Sequence, residues 1–157
     1  MLIEHRGRSP VVPASAYVAP TAVLCGAVAL GERARILHCA VLSAEDGEVH
    51  IGADTVVMEH ALIRGRAGHD ALIGDAVLIG PHAHVNGAVV EEEVFIAAGD
   101  PARLFSPDQH DELWEVQRDL DFPGTVYGVT RDTPMRAIMA RQTEFYGAHR
   151  EDRIINE

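Results

Sequence analysis

Aliphatic residues return at nearly every sixth position through most of the chain, and this spacing decides the fold. The series runs Val18, Leu24, Leu30, Ile36, Leu42, then Ile51, Val57, Ile63, then Ile73, Ile79, Val85, Val90 and Ile96. Four residues after most of them stands a small or β-branched residue: Ala22, Val28, Ala34, Ala40, Thr55, Ala61, Val77, Ala83 and Val94. This double pattern predicts a hexapeptide-repeat parallel β-helix, in which each coil buries its aliphatic column against the next. Three hexapeptides close one coil of roughly 18 residues, and neighbouring coils lie about one strand spacing apart, ~4.8 Å.

Residues three repeats apart therefore stack. One face carries Val18, Ile36, Val57, Ile79 and Ile96, the second Leu24, Leu42, Ile63 and Val85, the third Leu30, Ile51, Ile73 and Val90. Extra residues interrupt the rhythm within Glu45–Glu48 and Gly65–Asp70, and both stretches are expected as corner loops. Residues 1–17 read as a lead-in strand and loop. After Ile96 the rhythm stops. Ser106-Pro107-Asp108-Gln109 has the order of a capped helix start, followed by an apolar stripe of Leu113, Val116 and Leu120 with Trp114 beside it. Phe122-Pro123-Gly124 ends that helix, and Thr125–Val129 is expected to be extended. Thr133-Pro134 starts a second helix with Met135, Ile138, Met139 and Phe145 on its apolar side and Gly147 as its stop. The division is a β-helix over 1–104 and a helical extension over 105–157, docked on an open end or a flat face of the stack.

Composition narrows the chemistry. Aromatics make up 5% of the chain, as a narrow interior lined by aliphatic and small side chains requires. A net charge of −11 argues against nucleic-acid or anionic membrane partners. No apolar run reaches the length of a membrane span, and no basic-then-apolar leader opens the sequence, so the expected location is cytoplasmic. Cys25 and Cys39 make no disulfide framework. All thirteen basic residues are arginine, which removes Schiff-base chemistry and leaves the guanidinium as the one fixed side-chain cation.

The register also places outward side chains. Cys25, Ser43, Arg64 and Asn86 form one column, His38, Glu59 and Pro81 a second, Cys39, His60 and His82 a third. The last offers borderline metal ligands on consecutive coils, or simply stacked rings. Glu59 beside His38 is a candidate acid–base pair or an interface ion pair. Arg64 with Asn86 can hold an anion, or Arg64 can bridge to Glu45 or Glu59 across an interface. His84, stacked on Leu62, is expected to be a partly buried structural residue, and the remaining histidines, His149 included, to be solvated.

Glu4-His5-Arg6-Gly7, Tyr17–Ala22, Ala44-Glu45-Asp46-Gly47, Ile51–Thr55, Ile73-Gly74-Asp75, Ile79–Gly87 and Gly99-Asp100-Pro101-Ala102 together resemble the γ-class carbonic anhydrase family over residues 4–104. The resemblance implies a left-handed β-helix, a homotrimer, and zinc or iron held by three histidines at each subunit interface. At the positions that correspond to those ligands this chain has Arg64, Pro81 and Asn86. Ser43, Glu45, Met58 and Glu59 also replace the arginine, aspartate, glutamine and aspartate of the family pattern. Zinc-hydroxide chemistry needs three protein ligands and an open position. Proline has no side-chain donor, arginine stays protonated, and an amide is a poor ligand.

The reading that follows is an all-β, left-handed parallel β-helix with an α-helical extension, trimeric and without a cofactor. At the interface it would act on a small carboxylate-bearing metabolite by metal-independent lyase, cyclase or isomerase chemistry. Glu59, His38 and His82 are the catalytic candidates. Arg64, Asn86, Ser43, Glu45 and Met58 would hold the substrate, and Cys39, His60 and His82 are the alternative metal ligands. Whether the site is catalytic stays open. A non-catalytic trimeric assembly or regulatory subunit and a hexapeptide acyltransferase are the competing functions, the latter short of the long loop such enzymes use.

Overall fold

The computed structural model describes residues 1–97, 103–109, 111, 112, 115, 128–130 and 132–152. Among the described residues, twelve short strands wind in about five turns as a left-handed parallel β-solenoid and a thirteenth folds back antiparallel. In chain order they are β1 (Leu2–Ile3), β2 (Tyr17–Val18), β3 (Val23–Leu30), β4 (Arg35–Ile36), β5 (Val41–Ile51), β6 (Val56–Val57) and β7 (Leu62–Gly65). Then come β8 (Ala71–Ile73), β9 (Leu78–Ile79), β10 (His84–Asn86), β11 (Val89–Val90), β12 (Phe95–Ala97) and β13 (Arg103–Phe105). An α-helix, α1 (Met135–Gly147), lies near the C-terminal end of the described residues.

The three columns predicted from the repeat are the observed ones. Val18 pairs with Ile36, Ile36 with Val57, Val57 with Ile79 and Ile79 with Ile96. Leu24, Leu42, Ile63 and Val85 follow one another on the second face, and Leu30, Ile51, Ile73 and Val90 on the third. β3 and β5 each turn a corner and serve both of these faces, so Glu45–Glu48 lies within a continuous strand instead of the loop expected there. The interruption at 66–69 does form a turn, closed by reciprocal backbone bonds between Arg66 and His69. β1 joins the second face through Leu2 and Ile3.

Close stacking explains the recurring aliphatic-glycine pairs. Gly31, Gly52 and Gly74 follow Leu30, Ile51 and Ile73 at the same corner. A Cβ on Gly31 would sit 2.5 Å from Ala53 N, on Gly52 2.3 Å from Gly74 O, and on Gly74 2.6 Å from Glu92 N. Each glycine admits the backbone of the following coil. Elsewhere two corners turn through left-handed conformation on residues other than glycine: Arg33, Asp54, Ala76 and Glu93 at one, Cys39, His60 and His82 at the other, with φ between 54° and 61°. Backbone bonds from coil to coil continue through these corners, as from His82 N to Glu59 O (3.0 Å) and Asp54 N to Glu32 O (2.9 Å). The stack thus holds a conformation that the isolated residue disfavours.

On the first face both sides are covered. Inward-pointing Ile36, Val57 and Ile79 are fully buried, and so, nearly, are their outward neighbours Arg35, Val56 and Leu78. The cover is α1, which packs on β4 and β6. Its buried residues are Ile138, Met139, Gln142, Thr143 and Tyr146. Phe145, expected on the apolar side, is exposed instead, because the stripe that meets the flat strands runs through 138/139, 142/143 and 146. Arg35 anchors the contact. Its Nε donates to Thr143 O (2.7 Å) and its Nη1 to Ser15 O (2.8 Å) and Ala34 O (3.2 Å). Burial holds its pKa below the usual guanidinium value, and Arg150 adds to that effect. Arg150 in turn donates to Ala14 O (2.8 Å) and to Ala16 O (2.5 Å).

At the far end β13 folds back antiparallel on β12. Ser106 starts a 3-10 turn, Pro107–Gln109, in which Gln109 Oε1 accepts from Ser106 N at 3.1 Å. The predicted helix through Leu113, Trp114, Val116 and Leu120, its stop at Phe122-Pro123-Gly124, and most of the stretch Thr125–Val129 lie outside the described residues.

Candidate functional site

Register alone brings the anion-binding candidates together. Cys25, Ser43, Arg64 and Asn86 are consecutive partners across β3, β5, β7 and β10. The alternation that buries Leu24, Leu42 and Ile63 turns these four outward. Glu45, two residues after Ser43, takes a hydrogen bond from Ser43 Oγ (3.3 Å) and one from Arg64 Nη2 (3.2 Å). The alternative bridge for Arg64 is therefore made inside one chain. The Arg64 side chain is still 40% exposed, so the single bond to Glu45 leaves donors of the guanidinium facing solvent. A second guanidinium borders this end of the column: Arg66 Nη2 lies 3.5 Å from where a Gly87 Cβ would be.

The neighbouring corner presents Glu59, His60, Pro81 and His82. His60 and His82 stack with ring centroids 4.9 Å apart and 5° between planes. Cys39, one coil away, is exposed. Glu59 is half-buried, and among the described residues its carboxylate makes no hydrogen bond or ion pair. Met58 packs partly buried against the core, in the wall and not in the column. His84 pairs with Leu62 in the expected register but is exposed, because among the described residues no helix covers the second face as α1 covers the first.

Among the described residues, His38 interacts with Thr21 and His149 and not with Glu59. Its Nδ1 meets Thr21 Oγ1 at 3.0 Å, and its ring touches that of His149 edge-on, centroids 5.9 Å apart. His149, expected as a solvated tail residue, lies half-buried against the coil corner. No spacing in the sequence announces this, since residues 38 and 149 meet only when α1 docks.

The positions equated with metal ligands by the resemblance do not suit a cation. Arg64 and Asn86 stand side by side in register, and the guanidinium is near enough to a carboxylate to pair with it. A fixed positive charge repels a metal ion, and Pro81 contributes no side-chain donor.

No family model matches the chain. Among curated proteins it is 33% identical over 99 residues to gamma carbonic anhydrase 1, mitochondrial, of Arabidopsis thaliana, covering 59% of this chain and 36% of that one. The coils are γ-carbonic-anhydrase-like. A carbonic anhydrase of Geobacillus kaustophilus is 23% identical over 99 residues, covering 63% of this chain and 54% of the other. The chain thus spans about a third of the length of the plant protein and about half that of the bacterial one. A crystal structure of a hexapeptide transferase family protein from Anaplasma phagocytophilum shares the fold, with a TM-score of 0.60, 17% identity and 94% of both chains covered. No helix among the described residues is long and apolar enough to cross a membrane.

Proposed function

We propose that this γ-carbonic-anhydrase-like chain assembles as a homotrimer and binds a small carboxylate-bearing metabolite on the column of Ser43, Arg64 and Asn86, without a metal at that position. The observation that carries the reading is the adjacency of Arg64 and Asn86 in register, with Glu45 already seated on the guanidinium. A ligand carboxylate can take the same place, accepting from the free donors of Arg64 and from the Asn86 amide. The trimer reading is supported by the second face, where half-buried Val23, Val41 and Leu62 stand outward beside the polar column. Flat faces of this kind bury against copies of themselves. Glu59, a carboxylate without a partner among the described residues, is the proton acceptor in this reading, and His82 on the same corner the proton donor. With His38 turned toward the tail, lyase, cyclase or isomerase chemistry rests on these two residues.

The experiment measures binding of a panel of small mono- and dicarboxylates by calorimetry, with light scattering to follow assembly. Arg64→Ala should leave the assembly intact and weaken the best ligand by about 1.5–3 kcal/mol, the worth of a charge-assisted hydrogen bond. Arg64→Lys should recover little, since a point charge lacks the planar fork. A stable trimer that binds none of the panel would instead favour a non-catalytic assembly subunit. Dissociation on Arg64→Ala would make the residue structural.

A further inference from the structure

We propose that His38, His149 and Asp152 form a site for one divalent transition-metal ion of the zinc class, created where the C-terminal segment folds back on the coil corner. One ligand atom from each residue lies within 4.8 Å of the other two. Three donors around a zinc ion, each about 2.0–2.2 Å from it, are roughly 3–3.5 Å apart. Closing to that geometry takes a shift of about an ångström, within reach of the exposed Asp152 side chain.

Two of the donors are already together. His149 Nδ1 and Asp152 Oδ2 are 2.7 Å apart, three residues along the 3-10 turn Ala148–Glu151 that extends α1. The third is oriented from behind: the bond between His38 Nδ1 and Thr21 Oγ1 fixes that ring and leaves Nε2 as its free nitrogen. A hydrogen bond to the other imidazole nitrogen is the usual support of a metal-binding histidine. The His149 ring is held between Tyr17 (5.9 Å, 20°) and Tyr146 (6.1 Å, 11°).

Tyr17 supplies an independent observation. The residue is 7% exposed, and its hydroxyl is buried without a hydrogen-bond partner among the described residues. A buried hydroxyl without a partner is costly. A water bound to an ion at the site would give this hydroxyl a partner.

Two imidazoles and one carboxylate select zinc, cobalt or nickel over magnesium and calcium, which take oxygen ligands. Such an ion ties residue 38 of the second coil to residues 149 and 152, and so clamps α1 onto the first face. The site uses none of the residues proposed to bind a carboxylate, so Arg64→Ala should leave it intact, and either reading can fail without the other.

The test is titration of chelator-treated, full-length protein with zinc in competition with a chromophoric chelator, alongside thermal melts. One equivalent per chain is expected, with a melting point that rises on zinc addition. His149→Ala and Asp152→Asn should each weaken binding at least ten-fold and abolish the shift. The double change of the stacked pair, His60→Ala with His82→Ala, should preserve both. Should His149→Ala fail to fold, Asp152→Asn decides, because that side chain is exposed. Absence of binding at micromolar zinc, an unchanged affinity in Asp152→Asn, or loss of the site in the His60/His82 variant would each overturn the proposal.

Discussion

Replacing Arg35 by methionine tests what holds α1 to the coils. The substitution keeps an apolar stem under the helix and deletes the guanidinium, which bonds three backbone carbonyls and, among the described residues, no carboxylate. Two of those bonds, at 2.7 and 2.8 Å, are short enough to count fully, and the third at 3.2 Å is weaker. At about 1.5–3 kcal/mol for a hydrogen bond from a charged donor, the two strong ones amount to roughly 3–6 kcal/mol gross. Burying the cation offsets part of this, while its place near the C-terminal end of α1 adds back a few tenths to about 1 kcal/mol. A net loss of about 2–4 kcal/mol is expected, large against a typical total of roughly 5–15 kcal/mol. Urea unfolding gives the total. Hydrogen exchange on α1 amides separates detachment of the helix from global unfolding, and protection should fall in α1 before it falls in β6. An Arg35→Met protein with unchanged stability and unchanged α1 protection would refute the anchoring role. The contact would then rest on Ile138, Met139 and Tyr146 alone.

Gly52→Ala places a Cβ 2.3 Å from Gly74 O, between backbones that cannot separate without breaking the stack. A loss of about 2–3 kcal/mol, the upper range for overpacking, should appear in denaturant melts, with little effect on the binding of any ligand. The Glu48 carboxyl sits below the ordinary carboxylate range because it bonds His50 first and Arg8 second. A depressed pKa stabilises the fold above the unfolded value, about 4.3 for glutamate, and the benefit disappears as pH falls through the depressed one. The difference in melting temperature between the parent and Glu48→Gln should therefore be present at pH 7, shrink in acid, and shrink again at high salt, since these groups are exposed.

The coil columns were legible in the sequence because a β-helix repeats a local rule. Each hexapeptide sends one aliphatic residue inward, and three repeats return the chain to the same face. Leu42 is bound to meet Leu24 and Ile63 whatever else the molecule does. The same counting aligned Ser43, Arg64 and Asn86, and put His60 one strand spacing from His82. Beyond the repeat no such rule operates. Nothing local distinguishes Arg35, covered by α1, from His84, which is exposed at the equivalent outward position of another face. Phe145 looks as apolar as Met139, yet only Met139 meets the strands. His38 and His149 are separated by more than a hundred residues and share no periodicity. They meet because one helix selects one of three faces, a choice made by the summed fit of its side chains against a finished surface.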